Sequence, residues 1–210
     1  MSFFGRKAFV SGNPVRPEFF EEAYEQPSSP PGAARVLVFG GSQGAHAINM
    51  AMVEAAPRLA AASSRVAITH QTGERDLEVV RDGYRRAGME ARVEPFLFAM
   101  DREMKSADVV VCRSGATTLA ELTAARRASI LVPFPGATDD HQRKNADVLV
   151  KQGAARMVEQ RELTGDRLST EILGLASDAD TRRRISEAAG RLARPDAARV
   201  IVDKVLELAK

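Results

Sequence analysis

The sequence predicts an α/β fold, a Rossmann-like parallel sheet flanked by helices, and two observations carry that prediction. Short apolar runs alternate with longer helix-patterned stretches from residue 35 to the C-terminus. Two of these runs also end in glycine- and hydroxyl-rich turns that open into the next helix. One is Val36-Leu37-Val38-Phe39 before Gly40-Gly41-Ser42-Gln43-Gly44; the other is Asp108-Val109-Val110-Val111 before Arg113-Ser114-Gly115-Ala116-Thr117-Thr118. Strands joined through helices imply right-handed crossovers and a parallel sheet, which takes its ligands outside the C-terminal strand ends. The size agrees: 210 residues, 44% hydrophobic and 28% charged, suit one α/β domain with a full core, alone or with a short appendage.

Taken in order, residues 1–34 do not read as the start of a domain. Lys7-Ala8-Phe9-Val10 is a short strand-like run, and Ser11-Gly12-Asn13-Pro14-Val15-Arg16 is a turn stiffened by proline. Phe19 and Phe20 open a short helical segment, and Gln26-Pro27-Ser28-Ser29-Pro30-Pro31-Gly32 is a flexible, extended linker. A core-poor lead-in ending in a linker resembles the tail of something upstream. The regular pattern then begins at Arg35. Strands are expected at Val36–Phe39, Arg65–Thr69, Ala91–Glu94, 108–111, Ser129–Val132 and Ala155–Val158. Helices are expected at 45–61, 74–87, a short one ending at Ala107, one beginning near Ala116, and then 141–152, 166–176, 179–192 and 196–209. The strand ends carry Gly40–Gly44, His70–Gly73, Phe96–Met100, Arg113–Thr118 and 133–145. That rim gathers nearly all the glycine, hydroxyl and amide residues of the chain's middle.

Composition excludes several classes. Lys and Arg number 30 against 28 Asp and Glu, mixed along the chain, so the net charge of +2 gives little support for nucleic-acid binding. No apolar run approaches the ~18–20 residues of a membrane span, and no secretory signal opens the chain. The single Cys112 forbids an internal disulfide and fits a reducing cytoplasm; at the end of a buried strand it reads as a core thiol, not a nucleophile. Three His and one Cys, widely scattered, suggest no metal cluster.

The rim motifs carry the chemistry. At Arg113–Thr118 a strand ends in a glycine turn and a helix N-terminus, whose free N–H groups and dipole favour a phosphate. Glu121 follows three to four residues beyond Thr117 and Thr118, near the same helix face, where a carboxylate can accept hydrogen bonds from the two hydroxyls of a ribose. A surface carboxylate favoured by the helix dipole is the other reading. Gly40–Gly44 is either a phosphate-approach loop, with Ser42 as a donor, or a tight turn that needs glycine; it is neither the dinucleotide fingerprint nor a P-loop. In Thr138-Asp139-Asp140-His141-Gln142-Arg143-Lys144-Asn145, Asp139 or Asp140 can cap a helix, while His141, Gln142 and Asn145 offer the groups that read sugar hydroxyls. His141 has no Ser or Cys nucleophile paired with it in sequence, and no catalytic residue is assigned firmly. Leu192–Ala198, with Pro195, is a joint between two helices.

Together these stretches resemble the C-terminal half of the bacterial MurG family, the N-acetylglucosaminyltransferases that complete the lipid-linked disaccharide precursor of peptidoglycan. The matching segments are Gly12–Arg16, Gly40–Ala45, His70–Gly73, Arg113–Glu121 and Asp139–Ala146, in family order and with family-like spacing. The resemblance implies one half of a glycosyltransferase B fold, with residues 1–34 as an interdomain linker remnant and 35–210 as the domain that binds the donor, UDP-N-acetylglucosamine. It implies that Arg16 lies against the nucleotide, Ser42 contacts the diphosphate, Gln43 beside it is also substrate-binding, and the Leu97 backbone reads the uracil edge. Ala116, Thr117 and Thr118 would cradle phosphate, Glu121 would bind the ribose, and His141, Gln142 and Asn145 would face the sugar. The family's usual acidic pair after the rim aromatic is replaced here by Phe98-Ala99.

The function expected from the resemblance is the donor-binding part of an inverting transferase that needs no cofactor or metal. It would move N-acetylglucosamine to a polyprenyl-diphosphate-linked muramyl-peptide. The family's N-terminal acceptor domain, expected in cis or in trans, would hold that lipid-linked acceptor and bring the catalytic base. The location implied is cytoplasmic, with full-length members peripheral on the cytoplasmic face of the inner membrane. Other readings are a subunit of a split transferase, a UDP-sugar-binding fragment without activity, and a UDP-sugar epimerase or hydrolase of the same fold.

Overall fold

The computed structural model describes residues 8–21, 32–62 and 66–209. Six strands form its centre: β1 Ala34–Phe39, β2 Val66–Gln71, β3 Ala91–Glu94, β4 Val109–Cys112, β5 Ala128–Leu131 and β6 Arg156–Met157. Eight α-helices surround them: α1 His46–Ala60, α2 Leu77–Arg86, α3 Met100–Ser106, α4 Ala116–Ala124, α5 His141–Lys151, α6 Gly165–Ser177, α7 Ala179–Leu192 and α8 Ala197–Leu208. Every strand pair is parallel, and the sheet order is β3-β2-β1-β4-β5-β6. The chain enters at the centre, winds out to β3, and returns to β4 on the other side of β1. The reversal therefore falls between β1 and β4, whose last residues, Phe39 and Cys112, are register partners. A crevice opens there at the C-terminal strand ends, where doubly wound sheets place ligands.

The strands read as continuous apolar runs because helices cover both faces of the sheet. All four residues of β4 and all four of β5 are buried. Alternate residues of β1 feed two separate cores. Val36 and Val38 join Val109, Val111 and Ile130 under α1 and α6, through Ile48, Met52, Leu59, Leu168 and Ile172. Leu37 and Phe39 join Val110, Cys112 and Leu131 under the opposite helices, through Met104, Leu122, Leu149 and Ala189.

The structure departs from expectation in four places. The lead-in is not core-poor throughout: Phe19, in a 3-10 turn at Pro17–Phe19, is fully buried in the second core, and Lys105 Nζ donates to the Glu18 carbonyl at 2.7 Å. The strand-like Lys7–Val10 run contributes no strand over its described residues, Ala8–Val10, while Lys7, Gln26–Pro31 of the expected linker and Arg65 lie outside the described residues. Strand β2 runs on to Gln71, so His70 and Gln71 are buried sheet residues and not part of the rim turn. Neither Asp139 nor Asp140 caps α5: both adopt left-handed backbone, φ 52° and 55°, and no side chain caps this helix. The joint between the last two helices lies as expected, with α7 ending at Leu192 and α8 starting at Ala197. Among the described residues no helix is long and apolar enough to cross a membrane.

Candidate functional site

A cavity of about 590 Å³ occupies the crevice between β1 and β4. Gly40, Gly41, Gly44 and His46 line it from the β1–α1 side, Arg113, Gly115 and Thr118 from the β4–α4 side, and Phe134, Gln142 and Gln160 close it beyond. Two helix N-termini flank the cavity, and neither has a side-chain cap: Ala45 precedes α1 and Gly115 precedes α4. Their first-turn N–H groups are therefore left for a ligand, and the two helix dipoles add to the same preference for negative charge.

The glycine loop is shaped by a close approach of two backbones. Gly44 has φ 76°, and a Cβ added there would stand 1.8 Å from the Thr72 carbonyl oxygen. The loop is thus pressed onto the end of β2, and only glycine fits. This placement leaves Ser42 and Gln43 exposed at the tip of the loop while the neighbouring glycines line the cavity.

The opposite wall is braced by side chains that the sequence reading assigned to the sugar. Gln142 Oε1 accepts from the backbone N–H of Ser114 at 3.3 Å and of Phe134 at 3.1 Å, and the Gln142 carbonyl accepts from Ser114 Oγ at 2.8 Å. Asn145 Nδ2 donates to the Ser114 carbonyl at 3.2 Å. Gln142 lines the cavity, yet its amide oxygen and the Asn145 amide are spent on fixing the β4–α4 turn. His141 is exposed outside the cavity lining, its Nδ1–H donating to the Thr138 carbonyl at 2.8 Å.

The remaining expected residues gather on the flank of α4. Asn13 donates to Thr117 Oγ1 at 3.1 Å, which sets the lead-in segment against the first turn of this helix. Glu121 is half-buried, and burial pushes its carboxyl above the usual range while the nearby Arg16 charge pulls it back. Arg16 itself lies over the Phe19 ring at 5.3 Å and within 3.9 Å of the Asp101 carboxylate. Ala116 is exposed, and Thr118 reaches the cavity. Leu97 is buried in the second core, so only its backbone is free to meet a ligand. The Cys112 thiol is fully buried, which pushes its pKa up, as does the Glu121 charge, and fits a core role.

Residues 35–201 match the glycosyltransferase family 28 C-terminal domain. The chain belongs to this family. It is 51% identical over 208 residues to the UDP-N-acetylglucosamine--N-acetylmuramyl-(pentapeptide) pyrophosphoryl-undecaprenol N-acetylglucosamine transferase of Anaeromyxobacter dehalogenans, a match covering 99% of this chain and 54% of that protein. The corresponding transferase of Pelobacter propionicus is 50% identical over 97% of this chain and 59% of its own length. The chain spans about half the length of the curated relatives it matches. Among solved structures, Acinetobacter baumannii MurG superposes with a TM-score of 0.76 at 31% identity, over 83% of this chain and 50% of that one. A putative UDP-N-acetylglucosamine 2-epimerase from Listeria monocytogenes, 12% identical with a TM-score of 0.62, shares the fold.

Two cavity residues of this family 28 domain have no role of their own assigned from sequence: Arg113 reads only as part of the rim motif, and His46 not at all. Arg113 is a half-buried guanidinium whose pKa burial lowers. It donates to the carbonyls of Val132 and Pro133 at 3.1 and 3.2 Å and to Gln160 Oε1 at 2.7 Å, and it stacks over Phe134 at 5.4 Å. It thereby ties the ends of β4 and β5 together and puts a permanent positive charge on the wall. His46, the first residue of α1, has its Nδ1 3.0 Å from both oxygens of Asp76. Behind it, Asn49 donates to Asp76 at 2.8 Å and to the Thr72 carbonyl at 2.9 Å, and fully buried His70 bridges Asn49 and Tyr84 at 3.0 and 2.9 Å. Hydrogen bonds from Asn49 and His46 hold the Asp76 carboxyl below the usual range, against the upward push of burial. Among the described residues no group of three or more His, Cys, Asp or Glu side chains could hold a metal ion.

Proposed function

We propose that this domain is the donor-binding half of an inverting N-acetylglucosaminyltransferase that uses UDP-N-acetylglucosamine. The acceptor is the muramyl-peptide carried on a polyprenyl diphosphate. What carries the reading is the convergence of two uncapped helix N-termini, Arg113 and Thr118 on one cavity at the switch point of the sheet. That arrangement suits a diphosphate, and the names of relatives about 50% identical say which diphosphate donor and which acceptor to consider.

In the transfer, an acceptor hydroxyl oxygen forms a bond to the anomeric carbon as the bond from that carbon to the β-phosphate oxygen breaks. The hydroxyl proton goes to a base, and UDP departs with both electrons of the broken bond. Negative charge grows on the diphosphate, where the α4 N-terminus at Ala116–Thr118, the Gly40–Gly44 backbone with Ser42, and Arg113 would stabilise it. Preorganised dipoles do this work without reorganisation. Glu121 would accept from the ribose hydroxyls, with Arg16 beside the nucleoside and the Leu97 backbone at the uracil edge. His141 and Gln142 would face the sugar, His141 from outside the cavity lining and Gln142 through its amide nitrogen, because its oxygen is committed to backbone.

The base and the lipid-linked acceptor would belong to an acceptor domain, in cis or in trans, that closes over the crevice at the cytoplasmic face of the membrane. Calorimetry with UDP-N-acetylglucosamine, UDP, ADP and GDP tests the donor assignment. Selective binding of the two uridine ligands is expected. Equal affinity for ADP, or no binding of any of the four, would sink it.

A further inference from the structure

We infer that His46, set by Asp76, is a charge contact for the donor's diphosphate: protonated, it neutralises the phosphates in the cavity and the leaving UDP. The inference rests on the donor-binding reading of the cavity and adds a residue to it.

Hydrogen-bond directions around His46 follow from the partners alone. The Asp76 carboxylate accepts from both Asn49 Nδ2 and His46, so the imidazole must carry its proton on Nδ1. The same logic runs inward. Asn49 uses its amide N–H groups on Asp76 and the Thr72 carbonyl, so its oxygen accepts from His70 Nε2–H, and Tyr84 donates its hydroxyl proton to His70 Nδ1. Each donor in the chain Tyr84–His70–Asn49–Asp76–His46 has its acceptor, which fixes Asp76 in place as an anion. A ring so held has one open nitrogen, Nε2, and His46 lines the cavity beside Gly44 and Ala45 with 57% of its side chain exposed. With a second proton the ring becomes a donor on both sides, to Asp76 and to a ligand oxygen.

A cation at the first residue of a helix opposes the dipole, and Arg113 already stands on the far wall. The arrangement is therefore costly unless an anion fills the cavity, while Asp76 alone compensates from behind. The charged or titratable groups facing His46 are Asp76, with Arg75 beside it, and Arg113 across the cavity; His70, behind Asn49, is kept neutral by burial. A diphosphate between His46 and Arg113 completes a cation–anion–cation sandwich.

The test is binding of UDP-N-acetylglucosamine, both of whose phosphates are esterified and hold constant charge across neutral pH, from mildly acidic to mildly alkaline buffer. Uridine, which has no phosphate, is the control. Wild-type affinity should strengthen on acidification relative to His46→Gln, reaching a gap of about tenfold at the acidic end, the scale of one charge-assisted hydrogen bond. His46→Arg should hold the tight affinity at alkaline pH. Uridine affinity should be alike in wild type, His46→Gln and His46→Arg. Protonation of Glu121 acts in the opposite direction but is common to all variants and cancels in the comparison. If wild type and His46→Gln bind UDP-N-acetylglucosamine with superimposable pH profiles, the inference is overturned and the donor reading stands. If wild type binds no UDP-N-acetylglucosamine at any pH, both fall.

Discussion

Glu121 shows how one side chain can be placed against its own preference. Burial pushes its carboxyl above the usual range, so the folded domain holds a proton there more readily than the unfolded chain does. Ionising it near neutrality works slightly against the empty fold, and the anion is useful only when ribose hydroxyls donate to it. Replacing Glu121 by Gln should therefore leave the thermal midpoint of the empty protein unchanged or a little higher. The same change should weaken UDP by about 1.5–3 kcal/mol, the worth of hydrogen bonds to a charged group. Unchanged UDP affinity in calorimetry would make Glu121 a structural carboxylate. Gln142 is the converse case. Its amide oxygen satisfies two backbone N–H groups, so Gln142→Ala should lower stability by about 1–2 kcal/mol in urea titration and weaken UDP as well as UDP-N-acetylglucosamine. His141→Ala, at an exposed position, should leave stability alone; a loss matching that of Gln142→Ala would show that the α5 start braces the wall as a unit.

At the scale of elements, the site depends on loops pressed together more than on any helix or strand. The β1–α1 turn abuts the end of β2 so closely that a methyl group at Gly44 would overlap the Thr72 carbonyl. Gly44→Ala should cost more than the roughly 1 kcal/mol of an ordinary glycine replacement and should lower UDP affinity too, because the α1 N-terminus and His46 move with the turn. A variant with wild-type melting and binding would show that the turn relaxes without effect. The strand–turn–helix order was legible from apolar runs and glycine punctuation, which report on local chain geometry. Phe19 was not: a lone aromatic in a proline-rich lead-in gives no periodic signal, and only tertiary packing buries it. The same holds for the network from His46 to Tyr84, whose members lie on α1, β2, α2 and the turn before it. Asp139 and Asp140 misled for another reason. Aspartates before a helix usually cap it, but both adopt left-handed backbone here, and Asp140 accepts from Arg143 instead.

At the scale of the whole molecule, that network ties the pH dependence of folding to the site. His70 sits next to the C-terminal end of β2, fully buried, and burial lowers its pKa from 6.5 to about 3, against a smaller upward pull from Asp76. The sign follows from proton counting. As pH falls below the unfolded value, the unfolded chain takes up a proton that the folded chain refuses until near its own, lower value. Between those limits the unfolded state binds more protons, so stability drops on acidification and is flat above the window. The slope inside it is roughly 1 kcal/mol per pH unit for a single group shifted this far. Asp76 acts in a different range: its depressed carboxyl supports the fold above the ordinary carboxylate pKa and loses that support only at still lower pH. Glu121, raised by burial, also takes up its proton in mildly acidic buffer, but it is common to wild type and variant, so the comparison between the two isolates the histidine. Urea unfolding between about pH 7.5 and 4.5 should show wild type losing stability across this window faster than His70→Gln, which has no proton to gain. The variant starts less stable, because the imidazole bridging Asn49 and Tyr84 is gone, and the two should converge as the pH falls. Parallel slopes would mean that the buried imidazole takes up its proton in the folded state as readily as in the unfolded one, and that the network accommodates a charge at its centre.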